Sequence, residues 1–154
     1  MLVTIFDNRS ETQVSDAMLE EIEAYMIRTL LHEEIGVECE ISYSFVNADE
    51  IKALNAEYRG KDQVTDVLSF PMYEDFLKHK AEILKTAGQH PILLGDVIIN
   101  TDQARAQGEE FGHGFAREIC YLSVHSVLHL LGYDHLADDD KLAMRQVEKE
   151  IMGD

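Results

Sequence analysis

The chain has 154 residues and a mass of 17.5 kDa, a size that suits one domain with one hydrophobic core. Its composition, 45% hydrophobic and 28% charged residues, indicates a globular protein and excludes disordered and fibrous classes. The formal net charge of −17 excludes binding to nucleic acids or anionic membranes through overall charge, so such contacts need a local basic patch. No run approaches the roughly 18 apolar residues that span a bilayer. The isolated Cys39 and Cys120 favour reduced thiols in a cytoplasmic protein.

The first half of the chain is predicted to alternate strands and helices. Residues 2–6 form a short β-type run. Ser15 can cap the following helix, which carries an apolar stripe. Residues 40–46 alternate between apolar and polar, as a half-buried strand does. Asn47 followed by Glu50 predicts a capping box at the start of a second, short helix.

The second half is predicted to hold two strands and then three helices. Residues 67–70, stopped by Pro71, and 92–99 form the strands, the second interrupted at Gly95, where a β-bulge is favoured. Residues 72–90 between them are the least regular segment, with a helical turn around 76–84. One helix is predicted from Asn100 or Thr101 to near Gly112. The next is predicted from Phe115 to Leu131, with Gly132 at the C′ position. The last begins near Asp138, and its predicted inner edge consists of Ala143, Val147 and Ile151.

This order of elements indicates the fold class. Strands and helices alternate first, and helices follow at the end, which favours an α+β protein with one mixed sheet covered by helices. With no repeats or low-complexity linkers, we expect one domain over residues 1–154.

The segment from 123 to 135 carries the most informative pattern. His125 and His129 are four residues apart on a predicted helix, so their imidazoles project from one face, one turn apart. Gly132 permits a positive φ and a sharp return of the chain, which brings His135 back to the same point. Three neutral nitrogens leave a fourth tetrahedral position open to water, as in catalytic zinc sites. The alternative is three histidines on the surface or at the core edge of an amphipathic helix.

The same spacing occurs in metzincin proteases, with one difference that bears on chemistry. In those enzymes the residue after the first histidine is a glutamate that acts as general base. Here it is Ser126, which cannot accept a proton at neutral pH. The pattern therefore predicts a metal cage without the usual protease base.

A second motif lies upstream, between residues 55 and 71. Arg59 is expected just after a short helix, in a turn beside Lys61, at one of the few cationic points of an acidic chain. A guanidinium there can hold a phosphate through two parallel hydrogen bonds. A salt bridge from Arg59 to Asp62 or Asp66 is an equally weighted alternative.

Together these segments resemble the YbeY family of bacterial endoribonucleases, also described as ribosomal RNA maturation factors. The matching stretches are 58–62, 65–71, 94–97 and 125–135. The resemblance implies a mostly parallel, mixed four-stranded sheet with about five helices, related to zincin-like hydrolases. It also implies that His125, His129 and His135 bind one divalent metal ion, zinc above all, and that Arg59 is the catalytic arginine.

The function implied by this resemblance is a metal-dependent, single-strand-specific endoribonuclease. Metal-activated water would attack the phosphodiester during maturation of the 3′ end of small-subunit ribosomal RNA and in ribosome quality control. The implied partners are ribosomal RNA and the small ribosomal subunit or its proteins, with neither DNA nor membrane, in the cytoplasm. Two other functions stay open: a non-enzymatic ribosome-assembly factor with a structural metal, and a metalloprotease-like hydrolase.

Some residues near the predicted site allow two interpretations. A structural metal would need a fourth protein ligand, for which Cys120, His113 and Asp134 are the candidates. Asp134 can alternatively orient a ligand histidine or cap the turn. Ser126 replaces the glycine usual in the family, and its hydroxyl is a candidate contact of metal-bound water. The group of Lys78, Lys80 and Lys85 is either a local binding track for RNA or only a solvent-exposed helix face.

Overall fold

Four strands and six helices make up the described part of the chain. The computed structural model describes residues 2–8 by their backbone and residues 14–86, 90–133 and 137–153 in full. The strands are β1 (Leu2–Asn8), β2 (Cys39–Val46), β3 (Val67–Pro71) and β4 (Ile92–Asn100). The helices are α1 (Asp16–His32), α2 (Ala48–Arg59), α3 (Lys80–Leu84), α4 (Thr101–Glu110), α5 (Gly114–Leu130) and α6 (Asp138–Met152).

The strands form one mixed sheet in the order β1-β2-β4-β3. The pairs β1–β2 and β2–β4 are parallel, and β3 runs antiparallel to β4 at the edge. This confirms the prediction of a mostly parallel, four-stranded mixed sheet. The predicted helices are all present, and the five-residue α3 falls inside the irregular segment where a helical turn was expected.

Side-chain caps explain where three helices begin. Ser15 accepts a hydrogen bond from the backbone N–H of Met18 at the start of α1. Asn47 and Glu50 form the predicted capping box of α2, and Asn100 accepts from the N–H of Gln103 at the start of α4. Each cap satisfies a backbone donor that would otherwise lack a partner, which typically contributes about 1 kcal/mol.

Helix α5 is the central element of the core. It contacts α1, α4 and α6 as well as strands β3 and β4. On β2 the alternate residues Ile41, Tyr43 and Phe45 are fully buried, as the alternating pattern predicted. No helix among the described residues has the length and apolar character needed to cross a membrane.

Strand β4 carries a β-bulge where it approaches β3 closely. Glu40 pairs with Leu93 and Ile41 with Gly95, so Leu94 is the extra residue. Gly95 has a φ of +141°, and a Cβ there would lie 2.3 Å from the carbonyl oxygen of Phe70. Only glycine fits this close approach, which confirms the bulge predicted at this position.

The inner face of α6 differs from the prediction. Ala143 is exposed, whereas Met144 and Glu148 are buried beside Ile151. Ile151 is buried and Val147 packs half-buried against the core, as predicted, so the prediction was wrong only for Ala143. The pattern did not indicate Glu148, because a buried glutamate occupies a position where hydrophobic periodicity expects an apolar residue.

Both cysteines are free, as predicted, and both are buried. Burial raises the pKa of Cys39 to about 11 and that of Cys120 to about 12. Neither thiol is ionised at neutral pH, so neither has the character of a reactive cysteine.

Candidate metal centre

Helix α5 brings two of the predicted ligands together. His125 and His129 are half-buried on one face of the helix. Their rings lie 4.7 Å apart between centroids at an angle of 83°, and their Nε2 atoms are 3.2 Å apart. Two nitrogen ligands of one tetrahedral zinc, each at about 2.0–2.1 Å from the ion, are separated by about 3.3 Å. The spacing of the two Nε2 atoms therefore fits a shared metal ion.

The other ring nitrogens face acceptors. The Nδ1 atom of His125 lies 3.2 Å from Oε2 of Glu148, and that of His129 lies 3.0 Å from the carbonyl oxygen of Tyr133. A carbonyl or carboxylate oxygen needs a donor, so each Nδ1 carries the ring proton and each Nε2 presents a lone pair. Two such lone pairs converge favourably only where a cation or a proton lies between them. The donor set thus suits a divalent metal that prefers imidazole.

The turn after α5 supplies the acceptor for His129. Gly132 has a φ of +107°, in the region that favours glycine, and the N–H of Tyr133 donates to the carbonyl of Leu128 at 2.9 Å. This return of the chain was predicted from Gly132, and it directs the Tyr133 carbonyl toward His129. The next two residues, Asp134 and the third predicted ligand His135, lie outside the described residues.

The Tyr133 side chain links this turn to the end of α1. Burial, followed by a hydrogen bond to Glu33, raises the pKa of its phenol above the ordinary value of 10. The phenol is therefore neutral at physiological pH, beside a carboxylate at the end of α1.

Sequence reasoning missed Glu148. Its side chain is only 5% exposed, and it forms with His125 the carboxylate–histidine pair that commonly orients zinc ligands. It comes from α6, 23 residues further along the chain. The sequence does contain a signal for a buried role of Glu148, because it lies four residues after Met144 and four before Met152 on an otherwise apolar helix face.

Arg59 is the last residue of α2 rather than the first residue after it. It is exposed, and within the described ranges it forms no ion pair with Asp62 or Asp66. The Asp62 carboxylate lies instead 4.0 Å from Nζ of Lys52. The salt-bridge alternative for Arg59 is therefore not observed.

Two candidates for a fourth protein ligand are engaged elsewhere. His113 lies 2.6 Å from Oε1 of the buried Glu118, and Sγ of Cys120 lies 3.9 Å from Oε2 of Glu21. Both residues line a cavity of about 480 Å³ between α1 and α5 that His125 and His129 do not line. The third candidate, Asp134, lies outside the described residues.

Ser126 and Lys80 also have defined partners. The Ser126 hydroxyl is buried and donates to the carbonyl of Leu122 at 2.7 Å within α5, so its proton is already bonded inside the helix. Lys80 donates to the carbonyl of Glu33 at 3.0 Å. It joins α3 to the end of α1, which removes one of the three lysines from the suggested RNA track.

Comparison with known proteins gives consistent matches. The family model described as Endoribonuclease YbeY matches residues 4–154. The chain is 45% identical to an endoribonuclease YbeY of Caldanaerobacter subterraneus subsp. tengcongensis, over 96% of this chain and 94% of the relative. It is 42% identical to that of Clostridium beijerinckii, over 96% and 93% of the two chains. It is 39% identical to that of Clostridium botulinum strain Hall, over 98% and 96%.

A solved structure supports the fold independently. The solution structure of a Thermotoga maritima protein superposes with a TM-score of 0.60, covering 99% of this chain and 90% of that chain at 24% identity. This likeness supports the architecture of one mixed sheet with helices. Since the family model and the curated relatives both span nearly all of the sequence, the chain belongs to the endoribonuclease YbeY family.

Proposed function

We propose that residues 1–154 form one metal-dependent hydrolase domain that cleaves single-stranded RNA at internal phosphodiester bonds. The observation that carries this proposal is the convergence of the His125 and His129 Nε2 atoms at 3.2 Å, with each Nδ1 anchored to an acceptor. Family membership supports the endoribonuclease activity, and single-stranded RNA is favoured because its bases can be splayed out of a stack.

His125, His129 and His135 would hold one divalent metal ion, most favourably zinc. A zinc ion on three imidazoles supplies Lewis acidity and a water whose pKa falls toward about 7. Glu148 and the Tyr133 carbonyl keep both described rings in the tautomer that presents Nε2. The Glu148 carboxylate also offsets part of the positive charge that His125 acquires as a ligand.

Arg59 would bind the reacting phosphate. It is exposed and, among the described residues, carries its charge without an ion-pair partner. Its guanidinium can donate two parallel hydrogen bonds to phosphoryl oxygens. Such a donor stabilises the charge that grows on those oxygens as the phosphodiester is attacked, and its loss typically costs on the order of a hundredfold in rate.

The proposed setting is the cytoplasm, where the substrate would be the 3′ end of small-subunit ribosomal RNA in ribosome maturation and quality control. The proposed partners are ribosomal RNA and the small ribosomal subunit or its proteins, and neither DNA nor a membrane is expected. Delivery of RNA by such a partner would overcome the repulsion from a net charge of −17.

Two rival functions are less well supported. A structural metal in a non-enzymatic assembly factor would need a fourth protein ligand, and His113 and Cys120 are engaged elsewhere. A metalloprotease of the usual type would need a general base after the first histidine. The Ser126 hydroxyl at that position is bonded within its own helix.

The proposal is tested by metal analysis and cleavage of single-stranded ribosomal RNA fragments by wild type, His125→Ala and Arg59→Ala. We expect one ion per wild-type chain and none in His125→Ala. Arg59→Ala should keep the ion and lose roughly a hundredfold in rate. Arg105→Ala is the matched control, because Arg105 belongs to α4 and its guanidinium lies over the ring of Phe115. Undiminished cleavage by both site variants would refute the assignment, and bound metal without cleavage by wild type would favour the assembly factor.

A further inference from the structure

Two cations on α6 stand beside the candidate metal centre. Lys141 and Arg145 are four residues apart and exposed, so their side chains leave the helix from one face, one turn apart. Both line a cavity of about 230 Å³ and a neighbouring cavity of about 310 Å³. The first cavity lies between α5 and α6, the second lies along α6 alone, and the two residues line both.

The first cavity adjoins a candidate metal ligand directly. Its remaining lining residues are Tyr121, His125, Met144 and Glu148. The Tyr121 ring stacks on His125 with 6.0 Å between centroids and 28° between planes. Tyr121 lies one turn before His125 and His129 one turn after it, so the cavity flanks His125 on the side away from the second ligand.

The second cavity lies toward the start of α6. Asp138 and Leu142 complete its lining, and Leu142 is 68% exposed. A large exposed apolar side chain beside two cations provides contact area for a ribose or a base, while the cations take the phosphates.

At the first cavity the two cations outnumber the single carboxylate, Glu148, and at the second they face one carboxylate, Asp138. Over the described ranges neither Lys141 nor Arg145 forms an ion pair, and the one carboxylate of the first cavity, Glu148, is hydrogen-bonded to His125. The chain as a whole has 30 acidic and only 13 basic side chains. Two cations without an ion-pair partner at the first cavity therefore offer direct contacts to an anion, although the net charge of the chain is negative.

We propose that Lys141 and Arg145 bind phosphates of the RNA strand next to the one that is cleaved. Residues four apart on a helix are separated by about 6 Å along its axis, comparable with the distance between neighbouring phosphates of an extended strand. Arg145 can hold its phosphate bidentately, and Lys141 acts as a point charge. The proposal rests on the proposed function, since it names the substrate contacts of that same site.

The test compares Lys141→Gln, Arg145→Gln and the double variant with Lys149→Gln, an exposed lysine on the same helix that lines neither cavity. Binding of a 5′-fluorescein-labelled, 20-nucleotide single-stranded RNA is followed by anisotropy between 20 and 200 mM salt. These titrations use the Arg59→Ala background, in which cleavage is slow. Cleavage of the same RNA is measured separately, with zinc-loaded protein that retains Arg59.

We expect each cavity substitution to flatten the plot of log Kd against log salt by about 0.7, the value for one phosphate contact on a single strand. The double variant should bind roughly tenfold more weakly at low salt, with KM raised and kcat nearly unchanged. If the double variant and Lys149→Gln bind the RNA with the same affinity, the proposal is overturned. That result is expected if Lys141 and Arg145 bind an acidic protein partner instead of RNA. Weaker binding in the variants, with no cleavage by zinc-loaded wild type, would uphold the phosphate contacts and reject the nuclease function.

Discussion

At the scale of single residues, the carboxylate of Glu148 decides how His125 is held. It is buried and its Oε2 lies 3.2 Å from Nδ1 of His125. A negative acceptor at that nitrogen fixes the tautomer and makes the opposite nitrogen a better electron donor to a metal. Replacing it with the isosteric amide keeps the hydrogen bond but removes the charge.

We therefore expect Glu148→Gln to fold normally and to bind zinc about 10–100-fold more weakly than wild type. Competition with a chelator of known affinity measures this change directly. Glu109→Gln, an exposed position on α4, is the control and should match wild type. Equal zinc affinity in the Glu148 variant would show that the carboxylate has only a packing role.

At the candidate metal centre, the sequence predicted the contacts within α5 and its turn but not the contact from α6. The facing pair His125 and His129 follows from the periodicity of one helix, and the turn after it follows from the positive φ that Gly132 allows. Glu148 could not be found in this way, because its contact with His125 depends on how α6 packs against α5. Hydrophobic periodicity also treats a buried glutamate as polar, so it assigned the exposed Ala143 to the inner edge of α6 and left Glu148 out.

At the scale of elements, an ionic contact joins α1 to α6. His32, the last residue of α1, has its Nε2 atom 2.7 Å from Oε2 of Glu150 and its Nδ1 atom 3.1 Å from Oε2 of Glu33. Hydrogen bonding to Glu150 raises the pKa of His32 above its ordinary 6.5, against the opposing effect of partial burial. The folded protein therefore binds this proton more tightly than the unfolded chain does.

A raised histidine pKa stabilises the fold fully below the unfolded value of about 6.5, and the stabilisation is lost as the pH rises through the folded pKa. We expect His32→Gln to lower the free energy of unfolding more at about pH 5.5 than at about pH 8.5. Urea unfolding of both proteins at the two pH values measures this difference. A destabilisation that is the same at both values would mean that the contact is merely steric.

Local signals predicted the elements better than their packing. Ser15 and the pair Asn47 and Glu50 were identified as helix caps from the sequence, and Asn100 was one of two candidates for the start of α4, because a cap is an interaction within four residues. The bulge at Gly95 was also predicted, although the close approach of the Phe70 carbonyl, which requires glycine there, comes from another strand. Short α3 was harder to define, since five residues carry too little periodicity to separate a helix from a turn.

At the scale of the whole molecule, an acidic protein of net charge −17 must meet a polyanion. The opposing fields act over different distances. Repulsion from scattered carboxylates is long-range and is screened over a Debye length, about 30 Å at 10 mM salt and about 8 Å at 150 mM. Contacts of Arg59, Lys141 and Arg145 with phosphates would act at hydrogen-bond distance. Salt should therefore separate the two effects.

Reversing distant acidic charges tests this separation. Glu20 adjoins Glu21, whose carboxylate contacts Cys120, and Glu110 ends α4 just before α5, so both lie toward the N-terminal half of α5. Both are exposed.

In the double variant Glu20→Lys, Glu110→Lys, each reversal makes the net charge of the protein less negative by two units. We expect this variant to bind single-stranded RNA more tightly than wild type at 10 mM salt and equally at 150 mM, because screening removes the long-range repulsion. Anisotropy titrations at both salt concentrations measure the change, with Glu20→Asp, Glu110→Asp as the charge-preserving control. Tighter binding that persists at 150 mM would mean that the new lysines contact the RNA themselves, and would contradict a repulsion acting only at long range.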